Sequence, residues 1–517
     1  MYKKPTIKHQ LLVQVISCIG CLFLLSIIEV KAESNVIEKT KQRSSLSNLY
    51  LHSFYNNAAL RFYQYDFSYG QLAVKSSFQH DKEPVVMQYG SGFLLHSLHT
   101  EGYKILPNQR KIWGYATYKR ETTYAIQGTE SSDYAMLRPY VIADSVGGDM
   151  QQEEYLFSGG YAQQFGPYTF AVQMGYRALI AYREVDPRPK NTVGQLQLQI
   201  AGTLQLGAHH LLGGSIGLEK YNQDNSLKFY DELKTIPLYH MTGLGMDYAR
   251  FAGNNNNHST QGYTYTTQLS IQPHHANGWG GKLEWQQASL EKVLNNSNNL
   301  PLHTLSKHHT TATIFYQHKG AKREWSTQWV GHYRKHTGKE NVFGDPSSAS
   351  YPLIATDKMY GLKKTDLEWS FLFTQKGRKK AIYAIQPYVR YENISEHYPS
   401  PFRKSAYKNA EVGITAQVQK SFQKGLLQCV AHFSQRKNIT QTFVIEDLSP
   451  TNFRYSWLSH NFQTATGSKT QVELSTRYDW LIGHKQQTFY LKATYKQGWY
   501  IEQIKTSNYS LHLGITI

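Results

Sequence analysis

Residues 193–206 alternate between aliphatic and polar side chains. Successive side chains of an extended strand point to opposite faces, so this strand has one aliphatic face and one uncharged polar face. It is longer than a usual soluble strand of about 5–6 residues and matches the ~9–11 residues that a tilted strand needs to cross a bilayer. The aliphatic set is Leu196, Leu198, Ile200, Leu204 and Leu206, and the polar set is Gln195, Gln197, Gln199, Thr203 and Gln205.

The same alternation recurs over most of residues 67–517. The chain contains 39 Tyr, 22 Phe and 9 Trp although its mean hydropathy is only −0.52. High aromatic content with low hydropathy is typical of a barrel that shows lipid only every second residue. Short connections such as 166–167 and 423–424 mostly alternate with long ones such as 120–153, 290–307 and 437–468. A soluble sandwich has no reason to separate connection lengths in this way.

We count 19 candidate strands, with one slip in the alternation of connection lengths between Tyr221 and Trp285, where a strand is either missed or invented. Bacterial single-chain barrels have an even number of strands. The sequence therefore predicts an all-β, antiparallel transmembrane barrel over residues 67–517, with about 18 strands (16–20 by this pattern), short periplasmic turns and long extracellular loops. Leu198 and Ile200 should face lipid, and Gln197 and Gln199 the interior.

Residues 1–32 read as a secretory signal peptide, with lysines before an apolar run and small residues before a cleavage site after Ala32. An uncleaved membrane anchor is the alternative. Residues 33–66 are partly irregular and form either a short helix in the barrel mouth or the lead-in to the first strand. They are too few for the plug domain of an energised receptor. Cys429 is then the one cysteine left, so the mature chain has no intramolecular disulfide. We expect export to the outer membrane of a Gram-negative bacterium.

Residues 138–162 and 186–191 resemble an uncharacterised family of outer-membrane β-barrel proteins from Bacteroides-like bacteria. The resemblance covers most of the mature chain and implies a closed barrel in the outer membrane, without an activity. Residues 57–60 also resemble an Asn-Pro-Ala motif of barrels that pass hydrophobic compounds, but Ala58 replaces the proline. The family-like positions are Pro139, Tyr140, Asp144, Gly147, Gly148, Asp149, Asp186, Pro187, Arg188 and Pro189.

The sequence gives only weak evidence for a metal-binding or catalytic site. The pairs His209-His210, His274-His275 and His308-His309 cannot chelate from one strand, because neighbouring side chains point to opposite faces. We therefore predict no metal or other cofactor. Asp144 and Asp149 beside two glycines could bind Ca²⁺, although a tight turn is the simpler explanation. Ser131-Ser132-Asp133 lies in a long loop, but a catalytic site also needs a base within hydrogen-bond reach. We predict that the protein is not an enzyme, with a hydrolase as a third alternative.

Strand parity predicts which charged side chains point inward. Such charges either pair across the lumen and rigidify it or line a wet pore. The net charge of +18 favours an anion-selective lumen or contact with anionic lipid headgroups over nucleic acid, because no basic cluster carries interleaved aromatic residues. The inward set is Arg177, Glu284, Glu368, Arg390, His432, Arg436, Glu473, Arg477 and Lys492.

Two functions compete on this evidence. The favoured one is a channel or facilitator for a small solute, because about 18 strands enclose a passage wide enough for water. The alternative is a structural or receptor-like component of an outer-membrane complex that works through its long loops. Expected partners are outer-membrane lipids, the barrel-assembly machinery during biogenesis and, in the second case, an outer-membrane receptor or complex.

Overall fold

A computed structural model describes residues 36–207, 209–231, 236–253, 257–274, 277–346, 351–377, 381–483, 487–501 and 504–517. The predicted signal peptide and His275 lie outside these residues. Eighteen antiparallel strands form one closed sheet, because the first strand pairs with both the second and the last. The predicted 18-strand antiparallel barrel is confirmed.

The barrel strands, numbered along the chain, are β1 (Tyr69–His80), β2 (Gly92–Leu106), β3 (Arg110–Ile126), β4 (Gly148–Phe165), β5 (Tyr168–Tyr182), β6 (Arg188–Leu206), β7 (His210–Lys228), β8 (His258–Pro273), β9 (Gly278–Leu294), β10 (Leu300–Lys319), β11 (Arg323–Phe343), β12 (Leu353–Lys376), β13 (Ala381–Tyr398), β14 (Arg403–Phe422), β15 (Gly425–Ile445), β16 (Lys469–Ile482), β17 (Gln487–Trp499) and β18 (Lys505–Thr516).

Short turns gather at one end of the barrel and longer loops at the other, as the connection lengths predict. Several predicted loops are nevertheless mostly strand. Residues 290–307 were expected to form a loop, but β9 continues to Leu294 and β10 starts at Leu300. The strands extend beyond the length that a bilayer requires, and there the outward face no longer needs aliphatic side chains, so the alternation fades.

The slip between Tyr221 and Trp285 has a structural cause. The loop between β7 and β8 contains a short strand, Tyr239–Gly243, that pairs with Ile142–Ala143 and with Met246–Asp247. These three segments form a separate small sheet instead of joining the barrel wall. The extra candidate strand in the sequence count is therefore one that does not belong to the barrel.

The two faces of β6 follow their predicted orientation. Ile200 exposes 63% of its surface on the outside of the wall. Gln199 points inward, because its Oε1 accepts a hydrogen bond of 2.9 Å from the backbone N–H of Ala58, which lies inside the barrel. Gln197 donates to Glu219 on the same inner face, at 2.8 Å.

The segment before β1 is helical and lies inside the barrel. It consists of α1 (Val36–Arg43), α2 (Leu46–Tyr50), a 3-10 turn (His52–Asn56) and α3 (Ala58–Arg61). Its contacts reach several parts of the wall: the N–H of Leu46 donates to Gln417 at 2.7 Å, and the Ser47 and Thr374 hydroxyls lie 3.0 Å apart. We call residues 36–66 the inner plug.

Three loops fill the opposite mouth. They are residues 127–147 with α4 (Tyr134–Leu137), residues 236–253, and residues 446–468 with α5 (Phe453–Thr466). Leu137, Val141 and Leu244 from these loops pack with Tyr221 and Tyr360 of the wall in one buried hydrophobic cluster. We call these loops the outer plug.

None of the helices that the structure describes has the length and apolarity to span a membrane.

Candidate functional site

Five adjacent strands place charged side chains side by side on the inner face of the wall. Each residue of the row is in register with the next one on the neighbouring strand. The order is Glu368 on β12, Arg390 on β13, Glu411 on β14, Arg436 on β15 and Lys469 on β16. The signs alternate over the first four positions. Opposite charges directly across from one another stabilise neighbouring strands. We call this row the charge ladder.

A second charged row runs beside the ladder: Asp366 and Glu392 lie two residues from it on β12 and β13, and Lys364, four residues from it on β12, is in register with Arg334 on β11. Arg334 Nη1 contacts Asp366 Oδ2 at 3.1 Å, and Lys364 Nζ lies 2.5 Å from Glu392 and 3.4 Å from Asp366. Asn409 Nδ2 donates to the other oxygen of Glu392 at 3.2 Å. Each carboxylate of this row is thus engaged by more than one donor.

Both rows line a cavity of about 480 Å³ between the two plugs. Its charged lining comprises five cations and four carboxylates. The ladder is less tightly paired than the second row: Arg390 contacts Glu368 at 2.5 Å, yet its side chain keeps 46% of its surface exposed to the cavity. Arg436 Nη2 instead donates to the backbone oxygen of Thr464 at 2.9 Å and so ties the ladder to the outer plug.

A larger cavity, of about 680 Å³, borders the inner plug. The cations in its lining are Arg43, Arg61, Arg477 and Lys492, and the one carboxylate there among the described residues is Glu101. Arg43 pairs with Glu101 and stacks 3.5 Å from the ring centre of Tyr69. The remaining polar lining is uncharged or aromatic and includes five glutamines, Gln64, Gln71, Gln173, Gln417 and Gln428. This cavity therefore presents an excess of positive charge.

The structure distributes the nine predicted inward residues over different surroundings. Glu368, Arg390 and Arg436 belong to the charge ladder, while Arg477 and Lys492 line the larger cavity. Arg177 lies beneath the outer plug, where it contacts Asp133 at 2.7 Å and Glu154 at 2.5 Å. The other three also occupy the inner face: Glu284 lies 3.8 Å from Lys282, His432 bonds Thr415 at 3.0 Å, and Glu473 is in register with His432 and Lys496.

Sequence reasoning missed several charges of the same site. Asp366, Glu392 and Glu411 share the parity of their predicted neighbours and could have been found by extending each pattern by two residues. Arg334 and Lys364 lie where the aliphatic alternation of β11 and β12 has faded, so no parity marked them. The charged lining residues that the sequence analysis did not name are Arg334, Lys364, Asp366, Glu392, Glu411 and Lys469.

The family-like stretches build a buried ion cluster at the base of the outer plug. Arg183 contacts Glu130 at 2.8 Å and Asp144 at 2.5 Å, and all three side chains are at most 1% exposed. Burial, together with repulsion from Asp144, raises the pKa of Glu130 well above its usual value. Burial also opposes ionisation of Asp144, but its hydrogen bond from Glu130 and the charge of Arg183 outweigh burial and lower its pKa. A proton shared by these two carboxyl groups is therefore expected on Glu130 and not on Asp144.

Neighbouring motif residues shape the turns around this cluster. Asp144 Oδ1 accepts from the N–H of Val146 and of Gly147, both at 2.7 Å. Gly147 has φ +67°, and a Cβ there would lie 2.4 Å from the Ile126 oxygen, so glycine is required. Asp149 caps the N–H of Ala125 at 2.9 Å. These carboxylates serve as turn acceptors, and within the described residues no group of three or more His, Cys, Asp or Glu is placed to hold a metal ion.

The remaining motif positions fasten the loops to one another. Asp186 accepts from Arg188 at 3.1 Å and from the N–H groups of Tyr230 and Asp231. The oxygens of Pro187 and Pro189 accept from Arg183, and Gly148 begins β4. The Tyr140 hydroxyl donates to Glu340 at 3.2 Å, and Pro139 accepts from the N–H of Val141 at 2.9 Å.

A match to a protein-family model covers residues 58–517, that is α3 and the whole barrel. The chain belongs to the family of unknown function DUF6850. No curated protein matches this DUF6850 chain significantly.

Solved structures with a similar fold are outer-membrane barrels. A mutant of the ferric enterobactin receptor PfeA from Pseudomonas aeruginosa has 7% identity and a TM-score of 0.38, over 86% of this chain and 80% of that chain. The outer membrane transporter YddB from Escherichia coli has 8% identity and a TM-score of 0.41, over 87% and 80%. OccK9 from Pseudomonas aeruginosa has 9% identity and a TM-score of 0.34, over 87% and 98%. Similarity this distant carries no argument about a solute.

Proposed function

We propose that the protein is an outer-membrane channel or facilitator for a small charged solute, with the described conformation as its closed state. The charge ladder carries this proposal. Charges are costly to remove from water unless they are fully paired, and a lumen that only supports a scaffold has no need for an arginine such as Arg390 facing open space. In a water-filled passage these side chains are solvated, and they can interact with a charged solute.

The favoured solute is anionic. The lining of the larger cavity has four cations against one carboxylate, and the smaller cavity has five against four. A passage lined by one sign of charge raises the local concentration of ions of the opposite sign. The overall net charge of +18 acts in the same direction.

The inner plug serves as the gate on the short-turn side. Its polar contacts with the wall are mostly neutral hydrogen bonds, including Ala58 to Gln199 and Tyr50 to Ser370 at 2.8 Å. A bond of this kind contributes only about 0.5–1.5 kcal/mol net, because water replaces it when it breaks. Residues 58–65 also pack against the wall in a hydrophobic cluster, whereas the one ion pair that residues 36–57 make with the wall, among the described residues, is that of Arg43 with Glu101 beside the larger cavity. Movement of residues 36–57 therefore breaks only this one ion pair.

Planar-bilayer recording tests the proposal. The mature protein is compared with a variant that lacks residues 36–57 and keeps all of α3. We expect rare or small steps from the former and larger, stepwise, anion-selective conductance from the latter. Arg390→Gln should reduce anion selectivity, whereas the matched control Arg188→Gln, outside the cavities, should not. Silent bilayers from folded samples of both proteins would refute a channel.

A second function has its own observation. Two loops of the outer plug, residues 127–147 and 236–253, pack into one buried cluster with the wall, which gives the exposed end of the barrel a defined surface. A structural or receptor-like subunit would use such a surface to hold an outer-membrane partner. Silent bilayers, together with a partner that co-purifies with the wild-type protein and is lost when residues 236–250 are replaced by a flexible linker, would support this function.

Placement in the outer membrane after signal cleavage belongs to the same proposal. Cell fractionation, mass of the mature N-terminus and heat-modifiable mobility on gels test it. A protein that stays soluble after cleavage would contradict it.

A further inference from the structure

Four basic side chains meet where the outer plug contacts the wall. His240 lies on the short strand Tyr239–Gly243, while His258, Lys292 and His303 lie on β8, β9 and β10. His240 is 0% exposed, Lys292 1%, and His258 and His303 2% each. Lysine is almost never fully buried unless it is paired, so the group is unusual. We call these four residues the basic cluster.

The members of the basic cluster lie close together. Lys292 and His303 are direct register partners on adjacent strands. The rings of His240 and His258 are 5.7 Å apart, and His303 stacks on Tyr140 of the outer plug at 3.7 Å. The positive charge of Lys292 helps to lower the pKa of both His240 and His303.

The surrounding elements offer His240, Lys292 and His303 little compensation. On β11, the carboxylate in register with His303 is that of Glu340, and it already accepts from Tyr140 at 3.2 Å and from Tyr398 at 2.8 Å. Tyr140 itself presents its ring face to His303. Across residues 127–147 and β8 to β11, the titratable and charged groups that face His240 are thus His258, Lys292, His303, Tyr140 and Glu340.

Several nitrogens of the basic cluster lack partners. Among the described residues, neither ring nitrogen of His240 or of His303, nor Nζ of Lys292, has a hydrogen-bond partner. These atoms also expose essentially no surface, so neither water nor a counter-ion fits against them. Burial, and then the charge of Lys292, lower the pKa of His240 well below its ordinary value. A proton added here becomes an unpaired buried charge beside another cation.

We propose that the basic cluster is an acid-operated latch, which holds loop residues 236–253 docked on the wall at neutral pH and releases them on acidification. The docked form keeps its histidines neutral, whereas the released form exposes them to water, where they take up protons below about pH 6.5. The released form then binds more protons, so docking weakens as the pH falls through this range. This proposal does not depend on whether the barrel is a channel.

The size of the effect follows from the same linkage. At pH 5, each histidine that titrates only in the released form favours release by roughly 30-fold. Two such histidines, His240 and His303, favour it by roughly 1,000-fold together. The transition should be steeper than that of a single group.

A distance measurement on the full mature protein tests the latch. Nitroxide labels on Ala249→Cys in the loop and Ile439→Cys in the wall, in a Cys429→Ser background, report docking by double electron–electron resonance. We expect one short-range distribution at pH 7.5 and a second, broader one that grows below pH 6. A wall-to-wall pair, Ile354→Cys and Ile439→Cys, should not change. An unchanged loop distance at pH 5 would overturn the latch.

Variants separate the latch from general acid damage. His240→Leu with His303→Phe removes both titrating rings and retains an aromatic ring over Tyr140, so its loop should stay docked at pH 5. Lys292→Met removes the adjacent charge, so its release should move to lower pH while heat-modifiable folding persists. If the double variant does not fold, Lys292→Met alone decides: release at the wild-type pH would overturn the proposal.

Discussion

Removing Arg183 should open the outer plug while the barrel stays closed. Its guanidinium lies between Glu130 and Asp144, is 1% exposed, and also donates to the Pro187 oxygen at 2.9 Å. Arg183→Met keeps much of the side-chain volume and removes the charge. The ionised Asp144, which is 0% exposed, is then left without its counter-charge.

The magnitude follows from burial. Removing one partner of a buried ion pair costs about 3–5 kcal/mol, because the other charge stays buried and unpaired. At 1.4 kcal/mol for each factor of ten, this corresponds to roughly a 100-fold to several-thousand-fold rise in the population of the opened loop. Arg188 provides a matched control: its pair with Asp186 is 43% exposed on the arginine side, so Arg188→Met should cost only ~0–1 kcal/mol.

Chymotrypsin measures the opening, because Tyr134, Leu137 and Tyr140 are cleavable and packed within the outer plug. Cleavage that samples a rapidly exchanging open state follows the population of that state. We expect Arg183→Met to be cut in residues 134–140 at a rate at least 100-fold above wild type. Heat-modifiable mobility should persist in the cleaved protein.

A rescue variant sharpens this test. Arg183→Met combined with Asp144→Asn removes the stranded charge, and it should recover part of the protection because the remaining groups are neutral. A cleavage rate for Arg183→Met within threefold of Arg188→Met would refute the reasoning, and so would a double variant that is cut faster than the single one.

Three further outcomes are expected. Glu130→Gln should leave chymotrypsin protection within about 1 kcal/mol of wild type, because the protonated carboxyl and the amide make the same bonds; a loss as large as that of Arg183→Met would mean that Glu130 is ionised. Leu198→Arg should lower the yield of heat-modifiable barrel far more than Gln197→Arg, because arginine on the lipid face near the midplane costs ~2–4 kcal/mol; equal yields would contradict the facing of β6. Asn57→Ala removes the side chain that accepts from the N–H groups of Ala59 and Leu60 and so caps α3. The free energy that protects the amides of residues 58–61 from hydrogen exchange should therefore fall by ~0.5–2 kcal/mol. Unchanged exchange would show that the cap contributes nothing.

The barrel could be predicted because its pattern is local. A strand that separates lipid from a polar interior must alternate, so residues 193–206 carry their own orientation. The outer extensions could not be predicted in the same way: β9 and β10 remain paired up to Leu294 and Leu300, but both of their faces there are free of the lipid constraint. Pairing between strands leaves no period in the sequence when neither face is apolar.

The site was partly predictable for a related reason. Parity places Glu368 and Arg390 on the inner face, but only the register makes them neighbours. Arg177 has the same parity and yet lies under the outer plug, because Asp133 of a loop folds inward to meet it. The inner plug depends on still longer-range contacts: the partner of the Leu46 N–H is Gln417, 371 residues along the chain.

The different bonding of wall and inner plug makes them respond differently to salt. Interactions between exposed charges weaken as added ions shorten the Debye length from about 10 Å at 0.1 M to 3 Å at 1 M, while neutral hydrogen bonds scarcely change. The pair of Arg390 and Glu368 belongs to the first kind, and the bonds of Leu46 and Ala58 to the second. High ionic strength should therefore weaken the charge ladder more than the neutral hydrogen bonds of the inner plug.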